Sequence, residues 1–140
     1  MTQPIFNLIA ISAAFLTSHA LWGYQATYAI GYGTFTIMAT MVSLTFLWLW
    51  ARRATPLAIG MFFGWAGAAL VVGWWWAYAL LGQPDWMLGN PTLFLFVAVY
   101  CVGAILHFKV IAHSFGLKGN IYYVPLAISL AGSLLMRAIL

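Results

Sequence analysis

Acidic side chains are all but missing from this chain. Asp85 is the only one among 140 residues. Basic residues are scarce as well, and charged residues together make up 4%, where an ordinary soluble domain carries about 25%. That is too little charge to wet a globular surface. No carboxylate lies inside any apolar run, which disfavours proton- or cation-coupled transport. No lysine sits in the middle of such a run, which argues against a retinal Schiff base. The single Cys101 cannot close an internal disulfide. There is no nucleophile–base pair, no cluster of metal ligands and no phosphate-binding loop, so the reading leans away from an enzyme. The few basic residues are dispersed and form no patch, so no nucleic-acid partner is expected.

What is present is apolar. Hydrophobic residues make up 66% of the chain and aromatic residues 18%. Crossing about 30 Å of hydrocarbon takes about 20 apolar residues of helix. Five runs meet that length: 4–22, 33–51, 56–81, 91–113 and 120–139. The N-terminal "MTQPIFNLIA" lacks the basic start of a signal peptide, so the first run reads as a retained helix. Pro4, Pro56 and Pro91 mark helix starts, where the missing proline N–H would be unpaired in any case. Thr55 and Asn90 precede two of them as candidate caps, and Pro125 either kinks the last run or begins its straight part.

The short connections predict antiparallel neighbours. The sequence therefore predicts an all-α integral membrane protein with one membrane domain, an antiparallel bundle of five transmembrane helices. Arg52 and Arg53 fall in one loop and Lys118 in another on the same side. The positive-inside rule makes that side cytoplasmic, with the N-terminus cytoplasmic too, in what reads as a bacterial inner membrane.

The stretch "GWWWAYALLGQPDW" (73–86) holds four of the eight tryptophans. Counted from Pro56, Trp74, Trp75 and Trp76 lie roughly 27–30 Å along their helix, at the far edge of the hydrocarbon. Consecutive helical residues point about 100° apart, so these three ring the helix, and only Trp74 and Tyr78 share a face. Trp74, Trp75, Trp76, Tyr78 and Trp86 thus read as a lipid-interface belt. Asp85 reads as a solvated turn carboxylate.

Gly60, Gly64, Gly67 and Gly73 put small residues along the third run, where helix backbones can approach closely. His19 is the histidine placed deepest in the membrane, with an interhelical hydrogen bond as its plainer role. His107, Lys109 and His113 fall near the cytoplasmic edge, within reach of lipid phosphates. Trp65 and Tyr100 each lie nine residues from a helix-starting proline on antiparallel helices, so they share a depth. They read as a mutual contact or, with His19, as the lining of a small-molecule cavity. No pair of histidines shares a depth and a face, so a haem held by two of them is not expected, and no cofactor is identified.

Two functions follow. The first is a non-catalytic accessory or scaffold subunit of a larger membrane complex, whose partners are the bilayer and other subunits or further copies of the chain. The second is a module that binds or transports an apolar or amphiphilic small molecule, with a haem or chlorin on a single histidine as one form of it.

Overall fold

A computed structural model describes residues 2–139, and among them there are helices and no strands. Helix α1 runs from Thr2 to Arg53, α2 from Pro56 to Leu80, α3 from Thr92 to Ser114 and α4 from Val124 to Ile139. Short 3-10 turns precede α3 (Asp85–Met87) and α4 (Ile121–Tyr123). Four helices, counting the last from Ile121, are long and apolar enough to cross a membrane.

The main departure from the sequence reading lies in α1. The ten-residue connection expected over 23–32 is helix, broken only at Gly23, where φ is 78° and ψ 177°. That conformation is essentially restricted to glycine. The expected first and second spans are therefore two arms of one element, 2–22 and 24–53. A straight helix would hold Phe15 and Gly31 roughly 24 Å apart. Instead, a Cβ on Gly31 would lie 3.5 Å from the Phe15 ring. Ser18 Oγ and Thr27 Oγ1 share a hydrogen bond of 3.0 Å. Both contacts require the chain to fold back at Gly23. Residues 24–32 continue as helix, with Thr27 Oγ1 donating back to the Gly23 carbonyl at 3.0 Å.

The proline starts are close to those expected. Pro56 opens α2 behind an extended Thr55 that makes no side-chain cap bond. Pro91 directly precedes α3, and Asn90 Oδ1 accepts a 3.0 Å bond from the Thr92 N–H. Pro125 is the second residue of α4, so it begins that helix and does not kink it.

Helix α2 is the centre of the fold, with the long arm of α1 on one side and α3 on the other. Small residues make both seams. On the α3 side, a Cβ on Gly67 would fall 2.6 Å from Tyr100 Cβ. One on Gly60 would fall 3.1 Å from the His107 backbone nitrogen. On the α1 side, a Cβ on Gly33 would meet the Trp76 indole at 2.7 Å, and one on Gly73 would meet Thr36 Cγ2 at 3.0 Å. Ser43 Oγ donates to the Phe62 carbonyl at 3.2 Å. Among the described residues the buried apolar side chains are Ala39, Ala58, Ala69, Met87 and Ala112, and no large side chain is fully enclosed. Close backbone approach, not a thick side-chain core, holds these three segments together.

The other two segments stand away from this core. In the arm 2–22, Ser18 is buried and Phe15 half-buried, while residues 3–14 are exposed. No residue of α4 is buried. Several hydroxyls bond the carbonyl one turn back, as those of Thr36, Thr40, Ser129 and Ser133 do.

Candidate functional site

The seam between α2 and α3 is closed at its glycines and open beside them. Two stripes face each other: Gly60, Met61, Gly64, Trp65 and Ala68 on α2, and Tyr100, Gly103, Ala104, His107 and Phe108 on α3. Both follow the spacing that puts residues on one helical face. Gly103 fits against the backbone of Gly64, and a Cβ there would reach 2.8 Å from the Phe63 carbonyl carbon. A Cβ on Gly64 would meet nothing within 4 Å. Gly64 thus gives its backbone to the helix contact while its side-chain direction faces open space. That corrects the expectation that bulk at this position meets a neighbouring backbone. The space is a cavity of about 470 Å³, with Phe35 of α1 as a further wall.

Trp65 and Tyr100 both line this cavity, and His107 joins them in place of His19. His107 Nδ1 is buried with no hydrogen-bond partner. Depth counting sets His107 beside Lys109 and His113 at the membrane edge. In the structure Lys109 and His113 are exposed, while His107 turns toward α2. The absent side chain of Gly60 is what admits its backbone. Lys109 Nζ lies 6.0 Å from the Tyr122 ring centre.

His19 is exposed and lines a separate, larger space of about 840 Å³ in the notch between the two arms of α1. Its ring meets Tyr24 edge-on at 6.4 Å. Tyr24 and Tyr28 follow at 6.1 Å, and Tyr28 stacks on Tyr32 at 4.0 Å. This tyrosine row occupies the segment read as a loop. Its signal was the spacing of four between Tyr24, Tyr28 and Tyr32, which puts them on one helical face.

The three consecutive tryptophans point in different directions, and their neighbours differ. Trp74 meets Trp86 at 6.1 Å and Phe96 at 5.9 Å, and its Nε1 is buried without a partner. An indole that hides its N–H is not offering it to an interface. Trp74 lines a third space, of about 520 Å³, with Thr36, Thr40 and Ser43. Trp75 pairs with Tyr78 at 5.7 Å, and Trp76 packs on Gly33. Trp86 is 62% exposed. Among the described residues, no three His, Cys, Asp or Glu side chains gather as metal ligands.

Compared with known protein families, curated proteins and solved structures, the chain matches none. Its function has to be argued from its own geometry.

Proposed function

We propose that this chain is a non-catalytic, multi-pass subunit or scaffold of a larger membrane complex, joined to its partners through the arm 2–22 and through α4. The observation that supports this reading most is the uncovered inner face of that arm. Asn7, Ile11, Ala14 and Ser18 share one side of a helix. Ser18 is buried beside Thr27, whereas Asn7, Ile11 and Ala14 are exposed. The two arms meet near Gly23, at Ser18 with Thr27 and at Phe15 with Gly31, and residues 3–14 beyond these contacts are exposed, which leaves this side of the arm open to another helix. In lipid, helices associate by close packing and by hydrogen bonds between them. A partner helix on this side would supply both, with Asn7 as a hydrogen-bonding group. Helix α4 adds a second free surface, where a Cβ on Gly132 would meet nothing within 4 Å.

In this reading the chain crosses the membrane five times, because Gly23 reverses its direction between two crossings. Arg52, Arg53 and Lys118 then lie on the cytoplasmic side with the N-terminus, as the positive-inside rule favours. A bacterial inner membrane is the proposed location. The test is purification in a mild detergent followed by native mass spectrometry. Recovery with other membrane subunits, or as a defined oligomer, supports the proposal. Recovery as a lone chain under conditions that preserve other complexes of the same membrane counts against it.

A further inference from the structure

We infer that the cavity between α2 and α3 binds a lipid-soluble ring compound carrying carbonyl oxygens, through Trp65, Tyr100 and His107. The three side chains lie around one space, and none of them hydrogen-bonds another described residue. One polar atom of the set, His107 Nδ1, is buried outright. In hydrocarbon no water stands by to serve such groups. The Trp65 indole N–H can only donate, and a tyrosine hydroxyl and an imidazole N–H can donate as well. A ligand that complements them must bring acceptors, and carbonyl oxygens are the acceptors that a lipid-soluble molecule carries most readily.

Shape narrows the class further. Gly60, Gly64 and Gly103 leave part of the walls without side chains, and Trp65, Phe35 and Phe108 contribute aromatic faces. That combination makes a slot suited to a flat ring. Tyr100 and His107 are two turns apart on α3, roughly 10 Å along its axis, so hydrogen-bonding groups stand toward both ends of the slot. Acceptors on opposite sides of a ring meet that arrangement. The volume of about 470 Å³ is in the range of small-molecule sites, roughly 300–1,000 Å³, and holds a ring headgroup better than a whole lipid. Tyr100 is 51% exposed, so the slot opens sideways and an apolar tail can leave it into the bilayer. All these residues belong to one chain, so the site does not depend on the partner subunits proposed above.

The test uses the full chain in detergent micelles and a benzoquinone bearing a ten-carbon tail, titrated by calorimetry with empty micelles as the reference. Saturable binding is expected at about one equivalent. His107→Leu and Trp65→Phe should each weaken Kd by about tenfold. Gly64→Leu projects into the slot from a position where a Cβ meets nothing, so it should abolish binding without lowering the thermal melt. His19→Leu should leave Kd unchanged, and the same tail on a plain benzene ring should not compete. The inference is overturned if the quinone does not saturate, if the tail alone competes equally, or if His107→Leu and Trp65→Phe bind as the parent does. Loss of binding in His19→Leu alone would also overturn it, by moving the ligand to the notch of α1. If Gly64→Leu fails to fold, the His107 and Trp65 variants decide.

Discussion

Gly103 rests directly on the backbone of Gly64, yet the two glycines are not equivalent. A Cβ on Gly103 would overlap α2, whereas a Cβ on Gly64 would enter open space. Gly103→Ala should therefore force the two helices apart, at a cost of about 1–3 kcal/mol. Gly64→Ala should be neutral or mildly stabilising, because alanine favours helix over glycine by about 1 kcal/mol. Thermal unfolding followed by helical circular dichroism distinguishes them. Equal melting temperatures would remove the asymmetry.

Gly23 holds a backbone conformation that other residues pay heavily to adopt. Gly23→Ala should cost about 1–3 kcal/mol or open the fold-back. Spin labels at positions 14 and 32 should report a longer distance in the variant than in the parent. An unchanged distance and an unchanged melt would show that the break tolerates a side chain.

The five-crossing topology predicts that single cysteines at Gln83 and Lys118, in a chain with Cys101→Ala, label from opposite faces of the membrane. The turn bearing Gln83 is exposed, as is the one bearing Lys118. Labelling of both from one side in intact vesicles would refute the topology.

His19 makes no hydrogen bond to another described residue and is exposed, with the Tyr24 ring perpendicular to its own at 6.4 Å. His19→Leu should therefore change the stability of the isolated chain by less than about 0.5 kcal/mol. A clear loss of stability in that variant, rescued by His19→Gln, would instead give His19 an interhelical hydrogen bond.

Much of the core was readable from the sequence because prolines fix where α2 and α3 begin. Counting from Pro56 and Pro91 brings Trp65 and Tyr100 to one level, and the structure sets Tyr100 opposite Gly67, two residues or roughly 3 Å along α2 from Trp65. The fold-back was not readable. "GYQATYAIGYG" contains three glycines and several polar groups, which resembles a loop by composition, and only Gly23 breaks the helix. The place of His107 was hidden for a different reason. Depth along a helix says nothing about which way a side chain turns, and His107 turns inward because Gly60 opposite has no side chain. The burial of the Trp74 indole N–H was hidden by the same limit, since its neighbours Trp86 and Phe96 come from elements whose approach no local pattern records.

The long arm of α1 also raises a question of fit. About thirty residues from Tyr24 to Arg53 make a rod of roughly 45 Å, while the hydrocarbon layer is about 30 Å thick. A rod that overshoots its layer leans, bends or thickens the lipid around it. Here any lean is transmitted through Gly23 to the arm 2–22, because Ser18 and Thr27 tie the two together just beside the break. In the proposed five-crossing topology the tilt of the arm 2–22 is thereby linked to the thickness of the bilayer, and a thinner membrane presents a partner with a different angle of entry.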